Sequence, residues 1–169
     1  MKPTAQLAIK VVVAGDGNAG KTSLVRRYCE GKFESSRVMT IGVDFQTKRV
    51  ALPEGEVKLS IWDMAGQERF AVMRAGFYRG SRAAALVFDV TQAASLANLE
   101  TWRAEILKVI PNQKFVVVGN KIDLPRDEAT KNAADFAAEI GAEYVETSAA
   151  TSDGVPKLFE ALARLAIGV

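Results

Sequence analysis

Eight residues, Gly15-Asp16-Gly17-Asn18-Ala19-Gly20-Lys21-Thr22, fit the pattern G-x-x-x-x-G-K-[S/T]. Each fixed position suits the binding of a polyphosphate. Glycines let the backbone curl so that successive amide N–H groups point at phosphate oxygens, and a helix that follows adds its positive N-terminus. Lys21 is long enough to reach the β and γ phosphates, and the Thr22 hydroxyl suits a Mg²⁺ ion that bridges them. The pattern reads as a nucleoside triphosphate site.

Phosphates do not select a base. Asn120-Lys121-Ile122-Asp123 does: a carboxylate such as Asp123 accepts two hydrogen bonds, from N1–H and the exocyclic amino group of guanine, and adenine offers no such pair of donors. Asn120 is suited to bind N7 of the base or to brace neighbouring loops, and the apolar stem of Lys121 to cover the purine ring. A third element is Asp63-Met64-Ala65-Gly66-Gln67, at the end of an apolar run. There Asp63 can hold Mg²⁺ through water, the Gly66 amide can approach a γ-phosphate without side-chain interference, and Gln67 can orient an attacking water. Lys21, Gly66 and Gln67 are therefore the expected catalytic set.

The 169-residue chain has no histidine and a single cysteine, Cys29. Imidazole acid–base catalysis and an internal disulfide are thus excluded, leaving positioning and charge stabilisation, which phosphoryl transfer permits. The composition, 49% hydrophobic and 25% charged, is that of a folded soluble chain. Its length predicts one domain over residues 1–169. The net charge of +2 is too small to argue for nucleic acid. It is unevenly distributed, with a basic excess over residues 21–50 and 66–82 and an acidic excess beyond 83, which points to partners with acidic surfaces near the first two segments.

The elements that must position these residues follow from hydrophobic periodicity. Apolar or β-branched runs at Ile9–Ala14, Val57–Trp62, Ala83–Val90, Phe115–Val118 and Glu143–Thr147 predict buried strands. Helical spacing covers Lys21–Glu30, Ser95–Ile110, Asp127–Ile140 and about Val155–Ile167. Asp44–Leu52 alternates and is joined to the next strand by Pro53-Glu54-Gly55-Glu56, which predicts a hairpin. The fold expected is α/β, a three-layer sandwich of the P-loop NTPase kind. It has a mostly parallel six-stranded sheet, one antiparallel edge strand and about five helices.

With these motifs in order, the sequence resembles the Ras-superfamily small GTPases over nearly its whole length, and within them it is most similar to the Rab family. Gly15 to Ser23, Thr40, Asp63 to Gln67, Asn120 to Asp123 and Thr147-Ser148-Ala149 match the five nucleotide-binding motifs of that superfamily. The Rab likeness rests on Ile41-Gly42-Val43-Asp44-Phe45, Lys58 to Asp63, Phe77-Tyr78-Arg79-Gly80, Leu86 to Thr91 and Asn98 to Trp102. The resemblance implies that Gly15, Asp16, Gly17, Asn18, Ala19, Gly20, Lys21, Thr22, Ser23, Phe33, Thr40, Gly66, Asn120, Lys121, Asp123, Ser148 and Ala149 hold GTP or GDP. Thr22, Thr40 and, through water, Asp63 would hold Mg²⁺. Thr40 is implied as the switch I threonine, Phe33 as an aromatic beside the guanine, and the Ala149 amide as a donor to its carbonyl oxygen. Phe45, Trp62 and Phe77 match an aromatic triad through which Rabs contact effectors, though the same rings could serve core packing.

The function so implied is a molecular switch in vesicle and membrane trafficking. It would hydrolyse GTP slowly to GDP and phosphate, accelerated by a GTPase-activating protein and reset by a nucleotide exchange factor. A cytoplasmic monomer is expected, without nucleic acid or lipid anchor in this chain, joining membranes peripherally only if a tail is missing or a partner recruits it. Three residues depart from the family pattern. Ala150 stands in place of a lysine that would cover the purine or ribose, Met64 replaces a threonine beside the phosphate site, and Arg37 replaces an aromatic before Thr40. Ala150 and Met64 make a non-hydrolysing guanine-nucleotide adaptor the alternative reading; a P-loop kinase for a small metabolite is opposed by N-K-x-D.

Overall fold

The computed structural model describes residues 7–33, 43–66 and 70–169. Six strands form one sheet in the order β2-β3-β1-β4-β5-β6: β1 (Ile9–Ala14), β2 (Val43–Leu52), β3 (Gly55–Met64), β4 (Ala83–Asp89), β5 (Phe115–Asn120) and β6 (Glu143–Thr147). All neighbouring strands run parallel except β2 and β3, which pair antiparallel from Leu52↔Gly55 to Val43↔Met64. The hairpin and the antiparallel edge are those expected from the sequence. β3 and β5 each extend two residues further toward their C-termini than the apolar runs indicated, because parallel pairing such as Asp89↔Asn120 carries polar residues into the sheet.

β4 and β5 are buried along their whole length, as parallel strands covered on both faces must be. Period-two alternation divides β1 between two cores. Val11 and Val13 pack with Leu24 and Val25 of α1 (Lys21–Glu30) and with Leu158, Phe159 and Leu162 of α6 (Val155–Ile167). On the other face, Val12 and Ala14 pack with Tyr78 of α2 (Ala71–Tyr78), with Leu99, Trp102 and Ile106 of α4 (Leu99–Val109), and with Ala133 and Ala137 of α5 (Ala133–Glu139). Each fully buried Val, Leu, Ile or Phe contributes about 1.5–3 kcal/mol of hydrophobic stabilisation, so these faces set the sandwich.

Three local differences from the expected elements have visible causes. The helix over Ser95–Ile110 is α3 (Ala93–Ala97) and α4 in near-continuous succession, interrupted at Asn98. Counting them together gives the five helices anticipated. The segment Asp127–Ile140 divides into a single 3₁₀ turn at Glu128–Thr130 and α5. Asp127 caps that turn by accepting from the Ala129 amide, while the buried Thr130 hydroxyl donates to the Val90 carbonyl at 2.9 Å. Helix α2 had no clear apolar stripe because its buried positions are Arg74 and Tyr78, while Val72 is exposed.

Candidate functional site

The strand order places the first and fourth strands side by side although the chain leaves β1 for β2 and β3 on the far side. Such a reversal opens a crevice at the C-terminal ends of the strands. Every motif among the described residues lies there: Gly15 follows β1, Ala65-Gly66 follows β3, Asn120 closes β5 and Ser148-Ala149 follows β6.

The phosphate-loop sequence bends between β1 and α1 on two left-handed glycines. Gly15 has φ 146° and Gly20 φ 90°, and a Cβ on Gly20 would fall 2.4 Å from Asn120 Nδ2. Lys21 is 4% exposed, with Nζ donating to the carbonyls of Gly15 and Asp16, both at 2.8 Å. Burial draws its pKa down to about 8, against the pull of Asp63 and Asp16, and the Arg74 charge lowers it further. A buried ammonium held against a glycine-bent loop forms a seat for an anion.

Thr22 Oγ1 donates to Asp63 Oδ2 at 2.5 Å, joining the start of α1 to the end of β3. A hydroxyl and a carboxylate beside one another form a hard-oxygen donor set, the kind Mg²⁺ takes in company with phosphate oxygens and water. These residues fit the ion. Gly66 stands against the loop so closely that a Cβ on it would fall 2.3 Å from the Gly17 nitrogen. Met64, in contrast, turns its fully buried side chain into the core with Val12, Ala14 and Tyr78. Strand alternation sends it to the face opposite Asp63, so it is a packing residue, and the expectation of an apolar side chain beside the phosphate loop is corrected.

The base-side loops are tied by buried polar contacts. Asn120 is 1% exposed: its Nδ2 donates to the Ala19 carbonyl at 2.9 Å, and its Oδ1 accepts from Thr147 Oγ1 at 3.0 Å. It braces the phosphate loop, the end of β5 and the end of β6 together. Ser148 Oγ donates to Asp123 Oδ1 at 2.8 Å, leaving the exposed carboxylate oriented by the loop that carries Ala149. Lys121, in the left-handed region at φ 70°, donates from Nζ to the Asn18 carbonyl at 2.8 Å and to Asp89 Oδ2 at 2.9 Å. The Lys121 stem therefore crosses from the base loop to the phosphate loop.

Asp16 is held from the opposite side. Its Oδ1 accepts from Trp102 Nε1 at 2.9 Å and its Oδ2 from Asn98 Nδ2 at 2.8 Å. Sequence reasoning missed Asp89, Asn98 and Trp102 as members of this region. Asp89, an acidic residue at the end of an apolar strand, carried the same signal as Asp63; Asn98 and Trp102 entered only as part of the Rab likeness, and nothing in their spacing pointed to Asp16. Phe33, just past the α1 cap at Gly31, is 42% exposed on the surface. Thr40, Arg37 and Gln67 lie outside the described residues.

Phe45, Trp62 and Phe77 do come together. Phe45 stacks on Trp62 with ring centroids 5.1 Å apart, and Trp62 meets Phe77 at 5.5 Å. Lys10 Nζ lies 4.1 Å from the Trp62 ring centroid. Phe45 is 57% exposed, so the cluster is rooted in the core through Trp62 and Phe77 and open to solvent at Phe45.

Residues 10–167 match the model of the Ras family. The chain is 44% identical over 169 residues to the Ras-related protein RABG3a of Arabidopsis thaliana, covering 94% of this chain and 82% of that one. It is 41% identical to the mouse Ras-related protein Rab-21 over 90% of this chain and 70% of its relative. It is 39% identical to the Ypt/Rab-type GTPase Rab7 of Gibberella zeae, over 99% and 86% respectively. A guanine-nucleotide fold matched over this length, with every described motif at one crevice, places the chain in the Ras family as a Rab-like small GTPase.

Proposed function

We propose that the whole chain, residues 1–169, is one nucleotide-binding domain that acts as a GTP-timed switch on membranes, read by effectors in its GTP form. The observation that carries this reading is the convergence at one crevice of Gly15–Thr22, Asp63–Gly66, Asn120–Asp123 and Ser148–Ala149, with Asn120 bonded to both Ala19 and Thr147.

Asp123 and the Ala149 amide read guanine, the Lys121 stem covers the ring, and Asn120 braces the loops around it. Amides of residues 15–20, the Lys21 ammonium and Ser23 hold the phosphates. Thr22 and Thr40, with Asp63 through water, would hold Mg²⁺, which would supply positive charge against the β and γ phosphates. Gln67 directs a water oxygen at the γ-phosphorus; the P–O bond to the β-phosphate breaks, and GDP and phosphate leave. Lys21 and the Gly66 amide stabilise the charge that gathers on the γ-phosphoryl oxygens.

Effectors would meet Phe45, Trp62 and Phe77. An exchange factor and a GTPase-activating protein are partners of the kinds the family uses. Among the described residues, no helix is long and apolar enough to cross a membrane. Burial of Met64 removes one of the two residues behind a non-hydrolysing alternative.

Comparing GTP turnover in the wild type and Gln67→Leu tests the reading. Hydrolysis slowed by about tenfold or more, with GTP affinity kept, is expected. Equal turnover in the two proteins would remove Gln67 from its role.

A further inference from the structure

Helix α2 carries a residue of an unusual kind for its place: Arg74, 2% exposed, inside the second core. Its guanidinium meets several partners among the described residues. Nη2 and Nε donate to Glu105 Oε1 and Oε2 at 2.8 and 3.0 Å, and Cζ lies 4.4 Å from the Trp102 ring centroid. The Tyr78 hydroxyl also donates to Glu105. The remaining nitrogen, Nη1, donates to the carbonyl of Ala65 at 2.8 Å.

That last bond has a geometric consequence. The Ala65 carbonyl and the Gly66 N–H are the two ends of one peptide unit, which is planar and trans, so they point in opposite directions. Fixing the carbonyl on Arg74 fixes the direction of the amide on the other side. Gly66 itself lies against the phosphate loop, where a Cβ would meet Gly17 and Asp16 backbone atoms at 2.3 to 2.8 Å.

We propose that Arg74 is a positioning residue for γ-phosphate recognition: by holding the Ala65 carbonyl it aims the Gly66 amide at the terminal phosphate, while Glu105, Tyr78 and Trp102 hold Arg74. The inference rests on the reading of Gly66 as a γ-phosphate donor given above. A residue acting this way separates the two nucleotides. GDP lacks the group that the Gly66 amide would meet, so loss of Arg74 weakens GTP binding and hydrolysis and leaves GDP binding alone. A side chain that only packed the core would, on removal, weaken both nucleotides together or lower stability without preference.

The test compares affinities for GDP and for a non-hydrolysable GTP analogue, both with Mg²⁺, in the full chain and its variants, alongside single-turnover GTP hydrolysis. Arg74→Met is expected to lower affinity for the GTP analogue by about tenfold relative to GDP, with hydrolysis slowed at least as much, since a hydrogen bond to a charged oxygen is at stake. Arg74→Lys, which can still donate to the Ala65 carbonyl, is expected to restore most of the ratio. If Arg74→Met does not fold, Arg74→Met combined with Glu105→Gln removes both charges and keeps an acceptor for Tyr78. GDP and GTP affinities that fall equally, or an unchanged ratio, would overturn the proposal. An amide-to-ester replacement at Gly66, which removes the N–H without adding a Cβ beside Gly17, separates the two layers: if it leaves the ratio unchanged, the reading of Gly66 fails, and if it alters the ratio while Arg74→Met does not, only the role of Arg74 fails.

Discussion

The two ends of the crevice are built differently. At the base end, three strand ends and their loops are joined by direct side-chain bonds among themselves: Asn120 with Ala19 and Thr147, Ser148 with Asp123, Lys121 with Asp89 and Asn18. At the γ-phosphate end, the peptide carrying Gly66 is held from behind by one arginine on a short helix, itself held by α4. On the proposed reading, base recognition is fixed in the sheet, whereas recognition of the third phosphate hangs on a tether from a helix. A switch requires this asymmetry: the nucleotide must remain bound in both states while only one end responds to the γ-phosphate.

Breaking the base end is expected to give the largest change and to ignore the number of phosphates. Asp123→Ala removes the acceptor of two guanine hydrogen bonds, so affinities for GDP and GTP are expected to fall together by at least about a hundredfold, measured by nucleotide dissociation and competition. A fall confined to GTP would contradict the division.

Breaking the γ-phosphate end is expected to be selective. In Gly66→Ala the new Cβ meets backbone of Gly17, which cannot yield as a side-chain tip would, so the peptide must shift. Hydrolysis is expected to slow by about a hundredfold, as for a misplaced transition-state donor, with GDP affinity changed only a few-fold. Trp102→Phe sharpens the contrast. It keeps an aromatic face under Arg74 but removes the indole donor to Asp16, in the phosphate loop both nucleotides share. Its expected effect is a few-fold faster dissociation of GDP and GTP alike, the size of one modest hydrogen bond.

Most of this architecture was legible in the chain. Strand runs that are apolar on both faces, the helical spacing between them and the Pro53–Glu56 turn determined the sheet and its one antiparallel pair. Phosphate-loop and base-reading residues stood out because each needs a particular residue type at a fixed spacing. The arginine tether did not, for a physical reason. Arg74 breaks the apolar stripe of α2, and its burial depends on Glu105 and Trp102 some thirty residues away, a pairing that local periodicity does not encode. The outcome for Met64 was hidden similarly: its neighbours Asp63 and Gly66 stand at the crevice, but alternation along β3 turns it into the core.

The prediction that bears least on nucleotide binding concerns Cys29, on α1. Burial, against the pull of Lys48, pushes its thiol from 9.0 up to about 11. The thiolate fraction at neutral pH is thereby lowered about a hundredfold, so alkylation is expected to be slow there and to rise with pH up to about 11. Between pH 9 and 11 the folded state keeps a proton that the unfolded state releases, so this group subtracts stability as pH rises through that window. Rapid alkylation at neutral pH in the folded chain would contradict the burial.

The central claim is that this crevice holds guanine nucleotide and converts GTP slowly. The most direct measurement is to load the purified chain from an equimolar mixture of GTP and ATP with Mg²⁺, then chromatograph the retained nucleotide at once and after incubation. The account predicts guanine nucleotide alone, GTP at first and GDP later. Retained ATP, or GTP that stays intact throughout, would contradict it.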